Sequence, residues 1–244
     1  VSSGTPGGDG VAITMNTDEG MTRDIGQNNL PALDDITVVE TPDTIIPIIT
    51  SALLDLNDGR LYFYTSETIH ANPSSNVALT QCHLENNLND LHLPLDDANG
   101  RGVATVDVAD AVNVTIHLTL LQRAEAVRIS NTPGGDGSVL TIKLGVAFVR
   151  DMAGNTNAAT TPISVFEIPD TTRPILMRAI VNYSTGILIM HVNEIMELTN
   201  DGTIDSTHLY LVQSSVESGG PAHASLTYYD GTGTEGTYQL RTHD

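Results

Sequence analysis

The sequence predicts an all-β protein made of a repeated β-sandwich unit, and three observations predict it. Short segments rich in Val, Ile, Thr and Leu run the length of the chain. Turn formers separate them at short intervals. The chain also matches itself at one constant offset. Thr5–Gly10 reads TPGGDG, and Thr132–Gly137 reads TPGGDG again, 127 positions later. At the same offset Arg23-Asp24 falls on Arg150-Asp151, Glu40 on Glu167, and Pro42-Asp43-Thr44 on Pro169-Asp170-Thr171. Ala52, Gly59, Leu61 and Glu67 meet Ala179, Gly186, Leu188 and Glu194. Thr80 and Leu84 meet Thr207 and Leu211, and no insertion is needed from Ser3 onward. A match this long at one spacing is an internal duplication rather than a coincidence of six residues.

The elements follow in order. IIPIITSALLDL (Ile45–Leu56), the turn signal NDG and RLYFYTSETI (Arg60–Ile69) read as a hairpin. PILMRAIVNY, STG and ILIMHVNEIM are the second copy of that hairpin. NVALTQCHLE and TIDSTHLYLV form the next equivalent pair. Asn113–Leu120, Ser138–Val149 and Ile163–Ile168 add further strands. HLENNLNDLHL (His83–Leu93) reads as a loop or an irregular strand. One helix is expected, over Thr119–Val127, where Thr119 and Gln122 have capping-box spacing. GGDG is a tight turn whose glycines supply positive φ. Roughly seven short strands per unit fit a sandwich.

The Pro-Asp-Thr triplets mark the boundaries, because the prolines around them interrupt strand pairing. Residues 43–169 are then one complete unit. Residues 1–42 are the end of a preceding one, and residues 170–244 are the start of the next. Val1 opens with neither Met nor a signal-peptide pattern, as expected of a processed chain or of a segment of a larger protein.

Composition narrows the function. Thirty acidic residues against ten basic ones give a formal charge of −20. Such a surface repels nucleic acid and anionic lipid and attracts cations. No apolar run reaches membrane-spanning length. Trp is absent and aromatics make up 4% of the chain, so the cores must be aliphatic. Cys82 is the single cysteine; it excludes a disulfide framework and reads as a small buried hydrophobe.

DTTRP (Asp170–Pro174), LYFYTSETI (Leu61–Ile69) and DMAGN (Asp151–Asn155) carry a resemblance. They resemble the tandem immunoglobulin-like repeats, of bacterial-Ig or cadherin-like type, found in large extracellular surface or filament proteins. DTIIP at 43–47 and DIGQN at 24–28 depart from the pattern, and VNEIM replaces TSETI in the second copy. The resemblance implies secretion, end-to-end stacking and a structural or adhesive role.

Candidate sites follow from the acids that recur in each copy: Asp24 and Asp151, Asp43 and Asp170, Glu67 and Glu194, joined by Asn28 and Asn155. Linker and loop oxygens at one end of a sandwich suit Ca²⁺, which takes about six to eight hard oxygen ligands in flexible geometry. The same side chains also suit turn capping through backbone amides. Asn113 and Asn182 head glycosylation sequons. The eight histidines, at 70, 83, 92, 117, 191, 208, 223 and 243, show no zinc spacing. No nucleophile elbow is present, and GGDG lacks the Lys of a phosphate loop.

The expected function is therefore non-enzymatic: a structural subunit of an extracellular fibre or cell-surface appendage. Its partners are copies of itself or neighbouring repeats, joined head to tail by strand addition or within a longer array. The alternative is an adhesin stalk or a carbohydrate-binding repeat, which the scarcity of aromatics disfavours.

Overall fold

A computed structural model describes residues 3–86, 91–97, 100–196, 209 and 237–239. The described chain is mostly β, and it divides into two compact units, Val1–Thr171 and Thr172–Asp244.

The first unit opens with a two-stranded antiparallel ribbon, β1 (Thr14–Thr17) and β2 (Leu33–Thr37). It continues through β3 (Ile49–Asp55), β4 (Arg60–Ile69), β5 (Cys82–Asn86), β6 (Leu91–Pro94), β7 (Asp96–Asp97), β8 (Gly102–Val103), β9 (Thr105–Val106) and β10 (Ala111–His117). Helix α1 (Leu120–Arg128) precedes β11 (Leu140–Leu144) and β12 (Ile163–Ile168). Eight of these strands make one curled sheet in the order β6-β5-β11-β12-β3-β4-β10-β9. Neighbours are antiparallel except β12 and β3, which run parallel, with Val165 opposite Ala52.

The period of two sets the core. Leu61 and Phe63 of β4, Val114 and Ile116 of β10, and Cys82 and Leu84 of β5 point inward. Leu140, Ile142 and Leu144 of β11 do the same, and the Phe63 and Phe148 rings meet edge to face at 5.2 Å. The expected helix is present one residue later than predicted. Thr119 caps it, and Gln122 returns its side chain to the Thr119 amide, closing the capping box. Gln122 is itself buried and donates to the carbonyls of Leu95 and Gly102, which ties the helix to the sheet edge.

One strand expectation is narrowed and another needs correction. At the described ends of His83–Leu93 the irregular-strand reading holds over the loop: β5 and β6 pair antiparallel, with Leu84 opposite Leu93. Ser138–Val149 is not one strand, because β11 stops at Leu144. Gly145 then donates to the Gln81 carbonyl, where a Cβ would lie 2.1 Å from the Gln81 side chain. Phe148 and Val149 still reach the core from the irregular segment that follows.

The second unit contains β13 (Leu176–Asn182), β14 (Ile187–Val192) and β15 (Thr237–Gln239) in that sheet order. The expected strand TIDSTHLYLV lies outside the described residues except for Leu209, as do His208, His223 and His243.

Backbone geometry recurs at the offset of 127. Thr14 opposes Thr37 and Met15 opposes Ile36, as Thr141 opposes Ser164 and Ile142 opposes Ile163. The Gly8 amide bonds Thr5 and the Gly10 amide bonds Ser3, as Gly135 bonds Thr132 and Gly137 bonds Ser130. Glycine is required in this turn: a Cβ on Gly135 would lie 2.1 Å from the Ser130 oxygen. Glu40 accepts from the Gly4 amide, and Glu167 accepts from the Asn131 amide.

Candidate metal centre

Three of the nominated acids converge. One carboxylate oxygen each from Asp43, Glu67 and Asp151 lies within 4.8 Å of the others. Each comes from a different piece of chain. Asp43 belongs to the segment before β3, Glu67 to the far end of β4, and Asp151 to the loop after the Phe148 segment.

Local chemistry places them. Asp43 Oδ1 accepts the Ile45 amide at 2.9 Å, an Asx turn that holds the segment extended. Asp151 is 2% exposed, and its carboxylate closes its own turn. Oδ1 accepts the Asn155 amide and Oδ2 accepts Asn155 Nδ2, both at 2.8 Å. Asn155 Nδ2 also reaches the Asp43 carbonyl at 3.2 Å, so one amide joins the loop to the leading segment. The backbone of Asp151 bridges Ile69, two residues past Glu67, which fixes the distance between the two acids.

Glu67 differs from its neighbours. Its Oε1 is buried and has no hydrogen-bond partner. Burial pushes the Glu67 carboxyl above its usual range, and the charges of Asp151 and Asp43 push it further. A buried acceptor without a donor, beside two more acids, is a costly arrangement unless a proton or a cation occupies it. The donor set is all hard oxygen, which suits Ca²⁺ over softer metals.

Within the first unit, Asp24, Asn28 and Asp170 are not part of this cluster. Asp24 and Asn28 form the same closed turn as Asp151 and Asn155, with contacts of 2.9 Å from both the amide and Nδ2. Hydrogen bonds from the Asn28 side chain and amide hold the Asp24 carboxyl below its usual range. Asp170, the counterpart of Asp43, is paired with Arg123 Nη2, and Arg123 Nε donates to the Leu56 carbonyl. Glu194 lies just past β14 in the second unit. Asn113 is exposed on β10, and Asn182 is exposed where β13 ends.

Sequence reasoning missed the clasp at the opposite end of the sheet. Asn57 donates to the Pro169 carbonyl and accepts from both the amide and the hydroxyl of Thr171. Together with Arg123 it fixes the Pro-Asp-Thr triplet to the β3–β4 turn. The signal lay in the NDG triplet, read only as a turn. It also missed Asn86, which is buried and donates to Asp136 Oδ2 at 2.7 Å, tying the GGDG turn to β5.

Three histidines sit beside carboxylates at the surface: His70 by Asp110, His92 by Glu85 and His117 by Asp107. These are separate pairs and form no shared site. Cys82 is buried, as expected. Among the described residues no helix is long and apolar enough to cross a membrane. Compared with known proteins, the chain matches no family model, no curated protein and no solved structure.

Proposed function

We propose that this chain is a non-catalytic structural segment of an extracellular fibre or cell-surface appendage. Its immunoglobulin-like sandwiches recur with a period of 127 residues and stack head to tail. Residues 43–169 are one complete repeat, flanked by the end of one and the start of another. Ca²⁺ held by Asp43, Glu67 and Asp151 stiffens the joint before β3.

One observation carries this reading: the three acids meet where the leading segment joins the sheet. A divalent ion there would neutralise their repulsion, give Glu67 Oε1 a partner, and lock the segment to β4 and to the Asp151 loop. Further support comes from the opposite end, where Asp170 is clasped by Arg123 and Thr171 by Asn57. Segments held at both ends of a module transmit force and orientation between modules. The recurring turn bonds and the recurring β1–β2 and β11–β12 register support the period. The acidic surface keeps such arrays soluble and supplies cation affinity.

Electron microscopy of the purified chain, with and without EDTA, tests the reading beside the intact mass of the native material. Filaments that fray in EDTA, or a native chain far heavier than 25.9 kDa, are expected. Monomers with a native mass near that value overturn it.

A further inference from the structure

The outward face of the sheet at β10 carries chemistry that the acid cluster does not use. Asn113 and Thr115 lie two residues apart on β10, so both side chains leave the same side of the strand, while Val114 between them is buried. Asn113 is exposed, and no hydrogen bond holds its carboxamide among the described residues. The β10–β4 ladder shifts register between Ala111 and Asn113, a bulge of the kind that re-aims a side chain. β9 pairs with β10 only at Ile116 and His117. Beside Asn113, β4 is therefore the one neighbouring strand among the described residues. Asn182, which heads the other sequon, is placed differently: its Oδ1 accepts the amides of Ser184 and Thr185 and closes the turn after β13.

Aromatic rings lie across the ladder from Asn113. Tyr64 is directly opposite it and is 44% exposed, and Tyr62 is opposite Thr115. The row through Tyr62 continues to Leu53 on β3 and to Phe166 on β12, and Phe166 is 67% exposed. Neighbouring strands are about 4.8 Å apart, so this apolar strip runs about 14 Å from β10 to β12. All four strands belong to residues 43–169, well inside the chain.

We propose that Asn113 carries an N-linked glycan whose first sugars lie on Tyr64 and on the strip from Tyr62 to Phe166. The donor is a glycosyl diphosphate. Asn113 Nδ2 forms a bond to the anomeric carbon of the sugar, and the bond from that carbon to the diphosphate oxygen breaks. The diphosphate leaves with the electron pair, and Nδ2 gives up one proton. The acceptor pattern is Asn113-Val114-Thr115, and the fold leaves the modified nitrogen in water. A pyranose has an apolar face of C–H groups and a rim of hydroxyls. Its apolar face covers rings that otherwise stand in water, and its hydroxyls stay solvated. The occupant is a sugar because the point of attachment stands beside the strip itself, opposite Tyr64. This rests on the extracellular reading, since sugar transfer to asparagine belongs to the secretory route.

Peptide mapping of the native protein tests the site. Trypsin cuts after Arg101 and Arg123 and isolates Asn113 as the one asparagine between them. Release by a peptide N-glycosidase should convert Asn113 to Asp, which mass spectrometry reads. An unmodified Asn113 in the native peptide overturns the proposal. Thr115→Ala, secreted from a eukaryotic host, should lose the glycan and Thr115→Ser should keep it, with circular dichroism confirming that both fold. The packing is read separately. Removing the glycan should lower the Tm of the parent by about 2–4 °C, the shift that one ring contact gives in a chain of this size. The same removal should leave the Tm of Tyr64→Ser nearly unchanged, and an equal drop in both overturns the packing. If Tyr64→Ser does not fold, nitration of Tyr64 in the parent takes its place: faster reaction after glycan removal supports the contact, and an equal rate overturns it. A bare Asn113 in material that assembles into filaments sinks this site alone. Glycosylated monomers with a polypeptide mass near 25.9 kDa keep the site and sink the fibre reading.

Discussion

Residues 132–168 and residues 5–41 share turns, register and much of their sequence, yet they differ in what surrounds them. In the first region β11 has β5 on one side, β12 has β3 on the other, and Leu140, Ile142 and Val165 are buried. In the second, the same ribbon stands without those two neighbours, and Ile13 and Met15 are exposed. Local hydrogen bonding is therefore written into the ribbon itself, whereas burial is supplied by strands from elsewhere. Among the described residues, the ribbon at 5–41 keeps the turns of its counterpart and lacks the strands that bury it.

The sharpest way to break that comparison is to shorten the same position in both regions. Ile142→Ala removes a fully buried side chain and should cost about 2–5 kcal/mol of stability by denaturant unfolding. Met15→Ala, at the matching position, should cost less than about 1 kcal/mol, because that side chain is already half in water. Equal losses would mean that the ribbon at 5–41 is packed as tightly as its counterpart.

How much of this was legible beforehand follows from the same contrast. The duplication, the GGDG turn and the helix cap are local patterns, and the offset displayed them. Asp43, Glu67 and Asp151 were nominated because their counterparts recur. Their meeting could not be read from spacing, since it depends on the Asp151 backbone bridging Ile69 across the fold. The parallel β12–β3 junction is equally non-local. Arg123, Gln122 and Asn86 fall where the chain has no second copy within its length or where the second copy lies outside the described residues. No recurrence marked them, and only tertiary contacts reveal that they are buried and bonded. Gln122→Ala should therefore cost about 1–3 kcal/mol, by removing the buried bonds to the Leu95 and Gly102 carbonyls, of which the Leu95 carbonyl keeps the Ala104 amide. Thermal melts of Gln122→Ala beside an exposed control such as Leu121→Ala measure it.

Calcium sharpens the comparison in another way, because the acid cluster gathers around β3 and β4 and not around the ribbon at 5–41. Saturating Ca²⁺ should stabilise residues 43–169 by about 2.7 kcal/mol at a hundredfold excess over Kd. Asp24, whose turn matches that of Asp151, joins no cluster of acids among the described residues. Asp24→Asn should leave the calcium response intact, and Asp151→Asn should abolish it. Calorimetric titration of both variants decides between an ion site and a turn cap. A response that survives Asp151→Asn would assign Asp151 to the turn alone.

The smallest effect is also the most discriminating in sign. Glu67 is held above the usual carboxyl range by burial and by its acidic neighbours. The folded state therefore keeps that proton over a pH window in which the unfolded chain has released it. The resulting stability is fully present below the unfolded carboxyl value and is lost as pH rises through the folded one. Asp24 and Glu40 run the other way. Asn28 hydrogen bonds lower Asp24, and a Ser3 hydrogen bond with the Gly4 amide lowers Glu40. Their contribution is present at neutral pH and lost as pH falls through their folded values. In EDTA, Glu67→Gln should thus remove the loss that accompanies rising pH and melt at or slightly above the parent at neutral pH. With Ca²⁺ the order should reverse, because the parent gains an ion that the variant cannot hold. Melting curves from about pH 4 to 7, with and without Ca²⁺, read both signs. A variant that melts below the parent in EDTA at neutral pH would show that charged Glu67 stabilises the fold on its own, and the case for a cation among these three acids would fall with it.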